Sequence, residues 1–149
     1  MAKQPQTHQD YLTSVVESAS QLQLIVMLHD GVIRFLQQGK DCLLRNDIGE
    51  ASERLLKAKA IVTHLLSSLQ EDKGGVIAKV LRQLHLFCFE QITDANLKKD
   101  PAPLDGVINV FSVLRGGWHE LSNRSSQAEQ ASADMQAEDS DSLYLSVTT

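Results

Sequence analysis

Cysteine is scarce in this 149-residue chain: Cys42 and Cys88 stand far apart, without Cys-x-x-Cys spacing. Neither a disulfide framework nor a cysteine-paired zinc site is supported by that pattern. His85-x-x-Cys88 places two potential ligands on one helical turn, but no second pair has matching spacing, so no metal is expected. Prolines number three and aromatics make up 5%, which suits a helical globule better than a turn-rich β-sandwich. Positive charge is also short, with 14 Lys+Arg against 19 Asp+Glu, and no basic stripe is present to neutralise phosphates; nucleic acid is not an expected partner. No apolar run approaches the ~20 residues needed to cross a bilayer, so membrane insertion is not expected either. The opening stretch Met1–Asp10 is polar and unlike a secretory leader, and a reducing cytoplasm is the expected setting. A nucleophile elbow (Gly-x-Ser-x-Gly) and a phosphate loop (Gly-x-x-x-x-Gly-Lys) are both missing; Lys73-Gly74-Gly75 reverses the latter order and reads as a turn. Nothing points to an enzyme or a cofactor.

What the chain has in quantity is Leu, Ala, Gln, Glu and Lys, all good helix formers. Residues 1–19 read as a mobile N-terminal segment in which Tyr11, Leu12, Val15 and Val16 form one side of a short helix. Overlapping capping boxes at Ser18-x-x-Gln21 and Ser20-x-x-Gln23 predict a long helix from about Ser20 to Arg45. Asp47-x-x-Glu50 predicts the start of a second, ending before Gly74-Gly75; a third follows from Val76 to Leu97. Asp100-Pro101 opens a fourth, with a carboxylate cap and proline in the first turn, where its missing N–H costs nothing. The expected fold is all-α: an antiparallel up-down four-helix bundle over residues 20–122, with the short N-terminal helical segment added. Beyond it, residues 123–149 carry Glu129, Asp134, Glu138, Asp139 and Asp141 among Ser and Ala, which predicts a disordered acidic tail ending in the apolar patch Leu143–Val147.

Two of the helices are more apolar than a bundle requires. At 100° per residue the first places Leu22, Leu24, Ile25, Val26, Leu28, His29, Val32, Ile33, Phe35 and Leu36 in an arc of roughly 200°, twice the width of an ordinary core stripe. The third is similar, with Ile77, Val80, Leu81, Leu84, His85, Phe87, Cys88, Phe89 and Ile92. The surplus is either core of a deeply buried helix pair or an exposed groove for a partner. Gly31, inside the first helix, marks a close approach by another chain segment. Asp30 and Arg34, four apart, are placed to form an ion pair.

Tyr11 stands ahead of Val16-Glu17-Ser18-Ala19, followed by Leu24-Ile25-x-Met27-Leu28-x-Asp30-Gly31-x-x-x-Phe35-Leu36. Further on come Lys57-Ala58 with Ile61, Gly74-Gly75, Leu81-x-x-Leu84, Ala95-Asn96-x-x-x-Asp100 and Leu114-Arg115-x-x-Trp118. In this order and spacing the chain resembles the flagellin-specific export chaperones of the bacterial flagellar secretion system, the FliS family, from about Tyr11 to Leu121. The resemblance implies a bundle that binds the disordered C-terminal segment of flagellin, prevents premature polymerisation and aids delivery to the export gate, with a co-chaperone or flagellin regulator as further partners. It implies that Tyr11 covers part of the groove, and that Ile25, Leu28, Val32, Leu84 and Asn96 lie on or near the client surface. His29 and His85 stand where the family usually has tyrosine, and with Cys88 and Ile92 from the same arc they complete the expected groove. Protonating either histidine is expected to weaken the complex below about pH 6. Ser20 replaces a family proline, and Gly116-Gly117 is unusual before Trp118. The other reading of the same apolar surplus is a non-catalytic helical adaptor that forms a homodimer.

Overall fold

The computed structural model describes residues 8–69 and 71–148; the side chains at 8, 12, 15, 16, 19, 71–73 and 142–148 lie outside what it describes. Four helices account for nearly all of it: α1 His8–Leu44, α2 Ile48–Ser68, α3 Glu71–Lys98 and α4 Ala102–Thr148, with no strand among the described residues.

Helix ends follow the local chemistry in most places. α1 closes with Asn46 at φ 60°, the Asp47 N–H donating to the Cys42 carbonyl (2.8 Å) and the Asn46 N–H to that of Leu43 (3.1 Å). This is a Schellman motif, which satisfies the last free carbonyls of the helix. α3 ends similarly, with Lys99 at φ 54° and Asp100 N–H bonded to the Ala95 carbonyl. The Asp100 carboxylate then accepts the Ala102 N–H at 3.0 Å, the expected cap of the fourth helix. At Asp47, by contrast, the expected capping box is not made: its side chain forms no cap bond, and Glu50 instead accepts from Arg54 at 2.8 and 3.1 Å. The guanidinium is a charged donor, which makes a stronger bond than a backbone amide. Gly75 has φ 58° and ψ −135°, a conformation open to glycine alone, and it separates the regular part of α3 from residues 71–74 as the Gly-Gly pair predicts.

Two helices run further than predicted. α1 does not break before Ser20 but is continuous from His8. The stretch from Glu17 to Gln23 contains neither glycine nor proline, so nothing in it removes a helical hydrogen bond. α4 likewise continues through the acidic region in place of the disordered tail expected after Asn123. Ala, Gln, Glu and Met there favour helix locally, and pairs four residues apart support it: Arg124–Glu120 at 2.6 Å and Gln130–Asp134 at 3.0 Å. No side chain described between Asn123 and Asp141 is buried, though Ser125, Glu129, Ser132 and Gln136, spaced four, three and four apart, are half-buried along one face. The Leu143–Val147 patch falls among the side chains that are not described.

The chain divides into two units, one comprising Val26–Gly116 and the other Met1–Ile25 with Gly117–Thr149. In the second, Tyr11, Leu24 and Met135 are exposed and Ser122 is buried. The first is a complete bundle. Val32, Leu36 and Leu43 of α1, Leu55, Ala58 and Val62 of α2, Cys88, Ile92 and Ala95 of α3, and Leu104, Val107 and Phe111 of α4 share one core.

Cross-helix pairs set the direction of each helix in this unit. Gly31 faces Ile61 and Gly39 faces Leu55, so α1 and α2 are antiparallel. Lys59 sits over the Phe89 ring and Asn96 donates to Ser52, so α2 and α3 are antiparallel too. Lys40–Asp105 and Asp30–Arg115 run α4 back along α1. The result is an up-down-up-down bundle, as short connections between helices dictate. The closest approach is at Gly39, where an added Cβ would lie 2.6 Å from Leu55 Cδ2; at Gly31 the corresponding distance is 3.0 Å, to Ile61 Cδ1. Asp30 does not pair with Arg34. It accepts from Arg115 at 2.8 Å, while the Arg34 guanidinium lies 5.1 Å from the Phe35 ring centroid. A fork from the facing helix reaches Asp30 without bending back along its own surface.

Candidate functional site

The residues expected to line a client groove fall into three environments. His29, Val32, His85, Cys88 and Ile92 are buried within the Val26–Gly116 bundle. Leu28, Leu84 and Asn96 are half-buried on its flanks, with Asn96 bonded to Ser52 and accepting from Lys99. Tyr11 is exposed and Ile25 half-buried, both in the other unit. The structure therefore gathers the five buried residues into the bundle interior and leaves few of the ten on its surface.

The two histidines are part of an aromatic cluster. Both rings pack on Phe111, each with its centroid 5.5 Å away, and they face each other edge-on at 6.3 Å. Edge and tilted geometries of this kind are favourable for ring quadrupoles. His85 Nδ1 lies 2.7 Å from the Leu81 carbonyl oxygen, which can only accept, so the neutral ring carries its proton on Nδ1. Burial pushes the His85 pKa below 6.5, and the bond to Leu81 opposes the shift in part. Burial alone raises the Cys88 thiol to about 11, leaving it protonated and unreactive at neutral pH. Among the described residues no three His, Cys, Asp or Glu side chains converge to hold a metal ion.

Open apolar surface lies elsewhere, on α3. Val76, Ile77, Val80 and Phe87 are 79%, 74%, 56% and 54% exposed, and half-buried Leu84 continues the row. α3 in fact carries two rows displaced by one residue. Ala78, Leu81, His85, Cys88, Ile92 and Ala95 face inward, while Ile77, Val80, Leu84 and Phe87 run beside them and are left outside. Both rows alternate spacings of three and four, so each alone would satisfy the pattern of a buried helix face. Ile77, Val80 and Phe87 were visible in the sequence only as part of a wide arc; the separable signal was the doubling of the row.

α1 treats its surplus differently. Leu28, Ile33 and Phe35 pack against the core, and the Phe35 ring is further covered by Arg34 and by Lys57, whose Nζ is 5.7 Å from the centroid. A polar cleft of about 280 Å³ at the α1–α2 corner is lined by Gln38, Asp41, Arg45, Glu50 and Arg54, whose charges largely answer each other. Cys42 also lines it, so its wall is mixed polar and apolar.

A bundle with its core complete and one helix face left apolar and open is a protein equipped to hold another polypeptide. A family model described as flagellar protein FliS matches residues 2–125, and the chain belongs to that family. Among curated relatives, the flagellar secretion chaperone FliS of Vibrio cholerae is 40% identical over 108 residues, covering 72% of this chain and 79% of the relative. The protein of that name from Salmonella typhimurium is 33% identical over 117 residues, 78% and 87% of the two chains. The flagellar secretion chaperone FliSB of Pseudomonas aeruginosa is 27% identical over 123 residues, 83% of this chain and 98% of its own. Many residues that carry the resemblance prove to be helix-to-helix contacts: Asp30 with Arg115, Gly31 with Ile61, Phe35 with Lys57, and Asn96 with Ser52. They describe how the bundle is held together more than what it holds.

Proposed function

We propose that this protein is a cytoplasmic export chaperone that takes the disordered C-terminal segment of flagellin onto the open face of α3. In that role it keeps new subunits from polymerising and delivers them to the export gate, where a co-chaperone or flagellin regulator has access to the same complex. Family membership supports the chaperone role. The single observation that supports the docking surface is the exposed row Ile77, Val80, Leu84 and Phe87 beside a completed core. Leu28 and Asn96 add half-buried flanks accessible to a client, and Tyr11 offers a further exposed apolar side chain on the other unit. His29, Val32, His85, Cys88 and Ile92 act from beneath the surface, by setting the shape of the helices that the client meets.

Affinity on this reading comes from apolar burial, part of which is offset by ordering a disordered client. Isothermal titration with the C-terminal segment of the organism's own flagellin tests it. A 1:1 isotherm with a large negative heat-capacity change is expected, weakened at least tenfold by Phe87→Asp while the fold is retained. An unchanged affinity in Phe87→Asp would move the docking surface off α3, and no heat with a folded sample would remove the flagellin assignment.

A further inference from the structure

The second unit pairs the first half of α1, up to Ile25, with α4 from Gly117 onward. On α4 its covered positions are Ser122, which is buried, and Ser125, Glu129, Ser132 and Gln136, which are half-buried. They follow one another at spacings of three, four, three and four, the a and d rhythm of a seam that faces one other helix. Gln127, Ala131, Asp134 and Glu138, on the far side of the helix, are exposed. Within this unit the other helix is the first half of α1, where Leu22 and Ile25 are half-buried.

The two helices do not match in kind. In sequence α1 offers Leu12, Val15, Ala19 and Leu22 at spacings of three, four and three, an apolar row, whereas the α4 seam is three serines, a glutamate and a glutamine. Seam positions are ordinarily apolar because burial there supplies the association energy, and polar residues in them cost stability. Glu129 adds to that cost: half-buried, it makes no hydrogen bond or ion pair with any described residue, so its carboxylate loses water without gaining a partner. At the base of the stretch α4 passes from one unit to the other through Gly116 and Gly117, neither of which has anything within 4 Å of an added Cβ. Adjacent glycines make a helix easy to open at that point.

We propose that residues 117–141 of α4 form a releasable strap over the first half of α1, and that the polar seam keeps its grip weak enough to let go. A released strap stays soluble, since it carries Glu129, Asp134, Glu138, Asp139 and Asp141 and no lysine or arginine after Arg124. What it uncovers is the apolar stretch of α1, so the contact is autoinhibitory: it withholds that stretch until a partner with a better-matched helix replaces the strap. The family match ends at residue 125, ahead of Glu129, Ser132 and Gln136, so the grip is set by residues outside the matched region. Autoinhibition toward a flagellin client rests on the proposed function; the strap itself does not.

Hydrogen exchange of the full chain, read by mass spectrometry at neutral pH, tests the strap. Glu129→Leu places an apolar side chain in the seam and should slow exchange over residues 8–22 about tenfold. Ala131→Leu, on the exposed face, should leave those residues unchanged. Ser132→Pro breaks the helix of the strap and should speed exchange over residues 8–22, while residues 26–115 keep their rates. Exchange over residues 8–22 that ignores both Glu129→Leu and Ser132→Pro would overturn the inference, as would equal slowing by Ala131→Leu. Titration with the flagellin segment reads the autoinhibition: affinity should rise about threefold or more in Ser132→Pro and fall in Glu129→Leu. Equal affinities in variants whose exchange differs would overturn the autoinhibitory role. Absence of binding in every variant and in the parent would remove the flagellin assignment, and exchange would still decide the strap.

Discussion

α1 and α3 carry similar apolar surpluses and dispose of most of them differently, although Leu24 of α1 stays exposed and Phe89 of α3 packs on the core beneath Lys59. On α1, Leu28, Ile33 and Phe35 fold down onto the core and cationic stems close over the Phe35 ring. On α3 the extra row stays in solvent although a nearly identical row one residue away is buried. Width of an apolar arc therefore measures how much surface a helix can bury, and the neighbours decide how much it does.

The sharpest way to break this comparison is to truncate an aromatic on each side of it. Phe111→Ala removes a fully buried ring from the histidine cluster and should cost about 3–5 kcal/mol of stability in urea denaturation. Phe87→Ala should cost under about 1 kcal/mol, yet should weaken partner binding where a folded Phe111 variant does not. Equal stability losses at the two sites would mean that α3's outer row is packed after all.

Glycines sharpen the contrast next. Gly39→Ala puts a methyl against buried Leu55 and should destabilise by about 1–2 kcal/mol. Gly116 and Gly117 have nothing within 4 Å of an added Cβ, so alanine at either should stabilise by about 0.4–1 kcal/mol, read as a higher midpoint.

A third test uses pH. Because the folded state depresses the His85 pKa, the unfolded chain takes up its proton first as pH falls through about 6.5. The stability His85 contributes is full above that value and lost as pH drops toward the lower folded pKa. Urea midpoints should fall between pH 7.5 and 5.5, and fall less in His85→Phe. His85 is 4% exposed, so this acid sensitivity is one of the fold, beside the weakening of the client complex expected below about pH 6. Smallest of all is Lys99→Gly, which relieves a left-handed backbone at the end of α3 and should add roughly 1 kcal/mol at most.

Much of the architecture was legible in advance, and particular residues show why. Gly75 and Asp100-Pro101 act within a few residues of themselves, and both sit where their backbone chemistry requires. Asp47, Asp30 and the capping boxes at Ser18 and Ser20 misled for separate reasons: Glu50 bonds Arg54 in place of the box, Asp30 accepts from Arg115, and the backbone before Ser20 is free to remain helical. Burial was the least legible feature: five of the ten residues expected on a groove lie in the interior, and the exposed row Ile77, Val80 and Phe87 was not separable within the wide arc of α3. Periodicity identifies a face one residue wide only relative to a neighbour, and the neighbour is not written in the helix.

By itself, then, the sequence determined the class of fold, the helix boundaries set by glycine, proline and local caps, and the family, because these depend on contacts close along the chain or on patterns read directly. Tertiary structure alone decided which of two apolar rows on α3 became core, that Asp30 reaches across to Arg115, and that the histidines close on Phe111. Those outcomes follow from the packing of four helices at once, where a one-residue rotation exchanges the buried face for the exposed one.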